Sequence, residues 1–244
     1  TDAEALLKIK DRHPIGEALL KYREFFKIRS TYIKPLKELA AADKENRIHT
    51  EFLQTGAATG RLSSQNPNLQ NVPPSVREVF IAEKGYFLAA FDYSQIELRV
   101  LASVAGDSKM IEAFESDSDI HAITASNVFN IDVKKVSKEQ RHFAKTLNFG
   151  VIYGMGPDAF ARNTGLSREE AEKFIKEYFS DFSEIKRWQE KTIDKARQVG
   201  YVENLDGRKR WLPAITSPNR RFAAEAERAA INMPIQGLAA DIIK

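Results

Sequence analysis

Cysteine is missing from the sequence altogether. That rules out disulfides and thiolate-ligated zinc, and it suits a reducing compartment such as the cytoplasm. No apolar run approaches the roughly 20 residues that span a bilayer, and no signal-peptide pattern opens the chain. Charge of one sign is also lacking. The 37 Lys and Arg nearly balance the 34 Asp and Glu, for a net charge of +3. A surface for a polyanion must therefore come from local clustering, not from a field over the whole chain. Internal repeats and low-complexity tracts are absent too, which excludes solenoids and linker-like tails.

What remains is a chain of 244 residues, 43% hydrophobic and 29% charged, enough for one sizeable core or two small domains. Its patterning is mostly helical. A helical stretch is expected from Pro14 to about Ala41, bent at Pro35, which cannot donate to the helical ladder. RIHTEF alternates like a strand, and GAATGRLSSQNPNLQNVPPS is rich in turn residues. YFLAAFD, residues 86–92, has the length and apolar density of a buried strand. Helices are expected near 95–105, 119–128, 138–152, 167–180 and 183–199. YVENLDGRKRWL carries the Asp-Gly signal of a hairpin. Two further helices are expected, about 219–231 and 235–244. The fold class is thus mixed α/β and helix-rich.

Two stretches carry chemistry. In RHFAKTLNFGVIYG, Arg141, Lys145 and Phe149 are spaced one helical turn apart and form a slowly winding stripe. The two cations repel weakly on a bare helix, and a solvated face accounts for them. The sharper reading is a polyanion between them, because a triphosphate turns repulsion into attraction. In the second stretch, Asp92 ends the apolar run and precedes a helix, where it is either a helix cap or a metal ligand. Glu97 falls inside that helix, a poor place for a second ligand to the same ion.

DYSQIELRVLA (92–102) and RHFAKTLNFGVIYG (141–154) resemble motifs A and B of the family A DNA polymerases. TGRLSSQNPNLQN (59–71) and NMPIQGLAADIIK (232–244) are similar to further blocks of that family, in the same order. The resemblance implies a right-hand polymerase fold, incomplete at its C-terminus. Residues 1–45 would form the base of the thumb, 46–125 part of the palm, 126–205 the fingers, and 206–244 a hairpin and helices returning to the palm.

It also implies roles. Asp92 and the carbonyl of Tyr93 would bind Mg²⁺, one of two ions, and Asp92 and Lys145 would be catalytic. Arg141 and Lys145 would clamp the incoming deoxynucleoside triphosphate, with Phe149, Tyr153, Gln95 and His121 around it. Glu97 would be the steric gate that rejects a ribose 2′-hydroxyl. Arg61, Arg228, Asn232 and Gln236 would touch primer-template DNA, and the GRKR cluster at 207–210 would be a solvated hairpin tip. The implied partners are DNA and deoxynucleotides, without a membrane, and the implied state is a monomer. The family's motif C, with its second metal-binding Asp, is expected beyond Lys244, and NVPPSVREVF is shorter than the family's pattern. The sequence thus reads as a piece of a longer enzyme. The alternative is a module that binds DNA and nucleotide without catalysis. A single-subunit RNA polymerase is disfavoured by the gate at Glu97.

Overall fold

The computed structural model describes Ala5, Leu6, Ile9 and residues 13–244. The rest of the expected thumb base before residue 13 lies outside the described residues. Two compact units emerge: residues 1–57 with 62–91, and residues 58–61 with 92–244.

The first unit begins with α1 (Pro14–Ile28), whose N-terminus is closed by His13, its ring accepting from the amide of Ile15. The helical path runs on to Ala42, but not as one α-helix. A π-helical turn, Arg29–Ile33, precedes α2 (Lys34–Ala42), and the amide of Lys34 donates to the carbonyl of Arg29. The wider turn stands directly before Pro35, which has no N–H to give and whose ring crowds the preceding carbonyls. The strand expected over 47–52 is confined to β1 (Glu51–Leu53), which pairs antiparallel with β2 (Ser63–Gln65). A short α3 (Pro74–Arg77) follows. Leu36, Val72 and Val76 form the core, with Ile28, Tyr32, Ile48 and Leu69 against them.

The strand expected at 86–92 is not formed. Its apolar side chains stand in solvent, Phe91 at 96% exposure. A strand exists only where a neighbour takes up its amides and carbonyls, and among the described residues no segment pairs with this one.

The second unit is built on helices α4 (Ile96–Ala105), α5 (Ser108–Glu115), α6 (Ile120–Phe129), α7 (Lys138–Ile152), α8 (Pro157–Thr164), α9 (Arg168–Asp181), α10 (Ser183–Val199) and α11 (Arg220–Ile243). Five of the expected helices appear within about one residue of their expected bounds. The reason is local: apolar faces recur at helical spacing, and Asp119, Ser137 and Ser167 cap α6, α7 and α9 through their side chains. Helices α5 and α8 went unread, although Asp107 caps the first and Pro157 opens the second. The main core gathers Leu98, Leu101, Met110, Ile120, Leu147 and Tyr178 with their neighbours.

The hairpin is present: β3 (Tyr201–Glu203) pairs with β4 (Lys209–Trp211). Two expectations change here. The last two helices are one, since α11 runs unbroken through Pro234. Buried packing on both sides of Pro234 holds the helix where local propensity would end it. Nor is the GRKR cluster a free tip. Arg208 lies half-buried and pairs with Asp241 of α11, its Nη2 and Nε donating at 2.5 and 3.1 Å. No described helix is long and apolar enough to cross a membrane.

Candidate active site

Helix α7 sets the geometry. Ser137 and Gln140 form a reciprocal capping box at its start. At its end Gly154 adopts a positive φ of 61°, and the amide of Met155 reaches back to the carbonyl of Gly150 at 2.8 Å. That close requires a residue without a Cβ. The stem of Arg228 on α11 also occupies the space a side chain there would need. Between these ends, Arg141 and Lys145 are exposed and Phe149 is half-buried. A cation near a helix N-terminus opposes its dipole, and an anionic partner relieves this for Arg141. The Arg141 Nε donates to Asp119 Oδ2 at 2.5 Å. Lys145 forms no ion pair among the described residues.

Beneath the stripe is a buried polar network. His121, 2% exposed, accepts at Nδ1 from the Asn148 amide at 3.0 Å, and the same amide donates to Thr124 Oγ1 at 3.1 Å. The Thr124 hydroxyl turns to the carbonyl of Ile120 at 2.8 Å. With Nδ1 accepting, the single proton of neutral His121 resides on Nε2. Burial, and next the cation of Arg141, depress its pKa to about 4. The imidazole is therefore uncharged at neutral pH, and its ring lies 5.8 Å from that of Phe149. Asp119 titrates below the usual carboxylate range. Its burial acts upward, but the hydrogen bond from Arg141 and the amides of α6 outweigh it.

A second cluster surrounds Glu97. In the first turn of α4 its carboxylate is 7% exposed and pairs with Arg61. Its other oxygen accepts from the Tyr153 hydroxyl at 3.2 Å, and that hydroxyl accepts from Gln236 Nε2 at 3.4 Å. Burial and the neighbouring Glu97 charge raise the phenol's pKa, so Tyr153 remains a donor. Four residues read from separate stretches are thus brought together. Asn232 and Arg228 stand about one and two turns before Gln236 on α11. Asn232 keeps a buried Nδ2 with no partner among the described residues.

Asp92 and Tyr93 are placed differently. Both are exposed, and the residue that caps α4 is Gln95, at a φ of 55°. The cap reading of Asp92 therefore fails, and its carboxylate takes no hydrogen bond among the described residues. Gln95 itself is half-buried and offers its carbonyl to Leu98 and Arg99. No group of three His, Asp or Glu suited to a metal occurs among the described residues. Asp92 and the Tyr93 carbonyl, the two ligands expected from the sequence, are hard oxygen donors.

Sequence reasoning missed Asp119, Thr124, Asn148 and Gln189, whose buried amide donates to the carbonyl of Val151 at 3.0 Å. A buried-face Asn inside α7 was the available signal for Asn148.

The family model described as DNA polymerase family A matches residues 1–244. DNA polymerase I from Thermus aquaticus is 46% identical over the whole of this chain, which spans 30% of that protein. DNA polymerase I of Deinococcus radiodurans is 47% identical, with 26% of its length spanned, and that of Bacillus subtilis 43%, with 28%. Among solved structures, the POL domain of Pol1 from M. smegmatis, in complex with DNA primer-template and dNTP, superposes with a TM-score of 0.90. It is 39% identical, and the match covers all of this chain and 44% of that one. With the ordered motifs, the α7 stripe and the Glu97 cluster, these matches establish that the chain belongs to DNA polymerase family A.

Proposed function

We propose that this chain carries the nucleotide-binding part of a DNA-directed DNA polymerase, which adds deoxynucleotides to a primer 3′ end. One observation carries the reading: Arg141 and Lys145 stand exposed on the helix whose C-cap, Tyr153, donates to the buried Glu97. One rigid helix would thereby relate a phosphate clamp to the side chain that fills the space beside the sugar. Arg141 and Lys145 would bind the triphosphate, the first as a fork and the second as a point charge. Phe149 and Tyr153 would supply flat surfaces to base and sugar. Glu97, held by Arg61 and Tyr153, would leave no room for a 2′-hydroxyl and so select deoxy substrates.

Arg61 and Gln236 are donors suited to the minor-groove acceptors present at every Watson–Crick pair. Arg228 and Asn232 extend that contact along α11. Asp92 and the Tyr93 carbonyl would hold Mg²⁺ together with phosphate oxygens. When bound, the metal polarises the attacking hydroxyl and neutralises charge on pyrophosphate. The division into thumb base, palm, fingers and returning helices is part of the same proposal.

Primer extension tests it. In Mg²⁺, deoxynucleotide incorporation should depend on Asp92, falling at least about a hundredfold in Asp92→Ala. Glu97→Ala should admit ribonucleotides about tenfold more readily. Tight binding of primer-template and dNTP with no extension by the wild-type chain would favour the non-catalytic module.

A further inference from the structure

Arg141 is not a free fork waiting for phosphate. Its Nε is engaged by Asp119 Oδ2, and no partner is shown for Nη1 or Nη2 among the described residues. Asp119 cannot follow a moving guanidinium. Its Oδ1 accepts from the amides of His121 and Ala122 at 3.0 and 3.2 Å, which fixes the carboxylate on the α6 N-terminus. Helix α6 is in turn locked to α7 by the Asn148 amide, bonded to His121 and Thr124, and by Phe129 against Phe143. Donor and acceptor of this ion pair therefore sit on two elements that cannot slide independently.

Two consequences compete. The carboxylate reduces the positive charge presented to a triphosphate, which opposes binding. It also orders a long side chain that would otherwise lose rotamer entropy when nucleotide arrives. The contact geometry decides between them. A latch that hides Arg141 would grip its terminal nitrogens bidentately, whereas this carboxylate holds the Nε edge and leaves the terminal fork unengaged.

We infer that Asp119 is a positioning residue for the triphosphate clamp: it anchors Arg141 through Nε so that Nη1 and Nη2 receive phosphate oxygens. The inference rests on the polymerase reading above and adds a residue to its nucleotide site.

The test is a double-mutant cycle read by calorimetric titration of the chain with dTTP in Mg²⁺, with thermal melts as a folding control. Asp119→Asn retains the cap acceptor and removes the charge on Arg141. It should weaken dTTP binding by about five- to tenfold. In an Arg141→Ala background the same substitution should change nothing further, because its effect runs through Arg141. A purely structural role would give an additive loss in that background, and this would overturn the inference. Unchanged or tighter binding by Asp119→Asn, with Arg141→Ala still damaging, would overturn it as well and leave the polymerase reading intact. If Arg141→Ala binds dTTP as the wild type does, the clamp itself is wrong and both readings fall.

Discussion

His121 is held uncharged by its surroundings, so its contribution to stability should depend on pH. In the unfolded chain its imidazole titrates near 6.5, and in the fold its pKa lies at about 4. The unfolded state therefore takes up the proton first. Stability contributed by the neutral ring is complete above about pH 6.5, is lost as pH falls toward 4, and changes no further below that. The loss is at most about 3 kcal/mol. Carboxylates titrate in the same window, so the measurement must be a difference. Urea unfolding of wild type and His121→Gln from pH 7.5 to 4 should show the wild type losing ground to the variant across that range. A constant gap between the two would mean that His121 does not titrate as described.

At this scale the sequence was informative where function follows periodicity. The stripe of Arg141, Lys145 and Phe149 is legible from spacing alone. Asn148 was not, because its meaning depends on His121 and Thr124, 27 and 24 residues away in sequence. The role of Asp92 was open between cap and ligand, and only the position of Gln95 at the cap removed the first.

Among the elements, the hairpin and α11 show what a single glycine permits. A Cβ on Gly237 would stand 3.2 Å from Asn204 Nδ2 and 3.6 Å from Arg208 Cδ. Asn204 has little freedom to yield. It is buried, its side-chain oxygen accepts from the amides of Asp206 and Arg208, and its Nδ2 donates to Asp241 at 2.8 Å. The hydrogen bond from Arg208 is also the chief cause that holds the Asp241 carboxyl below its usual range. Gly237→Ala gains about 1 kcal/mol of helix propensity, but it presses on this network. The expected result is a net loss of about 1–2 kcal/mol, read as a lower Tm with faster amide exchange at residues 201–211. A raised Tm would show that the hairpin shifts without strain.

The same elements explain where patterning sufficed. Helices α6, α7, α9 and α10 announce themselves by caps and apolar spacing. The apolar run at 86–92 has the composition of a strand, yet pairing is a property of two segments and the run alone does not contain it. Pro234 misled for the converse reason, since burial overrides what a proline does to an isolated helix.

For the whole molecule, the distribution of core is uneven. The second unit buries Leu98, Leu101, Met110, Ile120, Phe160, Tyr178 and Phe182 almost completely. The core cluster of the first unit centres on Leu36, Val72 and Val76. Within that unit Tyr22, Phe25, Phe26, Ile81, Phe87 and Phe91 remain in solvent. Burial supplies the main stabilisation, so the two units should not share one unfolding midpoint. Both tryptophans, Trp188 and Trp211, lie in the second unit, and Trp188 packs against its core. Fluorescence excited at tryptophan thus reports the second unit, whereas far-UV circular dichroism also sees α1 and α2 of the first. In a urea titration the dichroism signal should begin to fall at a lower concentration than the fluorescence changes. Leu36→Ala should move only the early phase, by the ~2–5 kcal/mol typical of a buried leucine. Coincident curves from the two probes would show a single cooperative transition and overturn the expectation of separate midpoints.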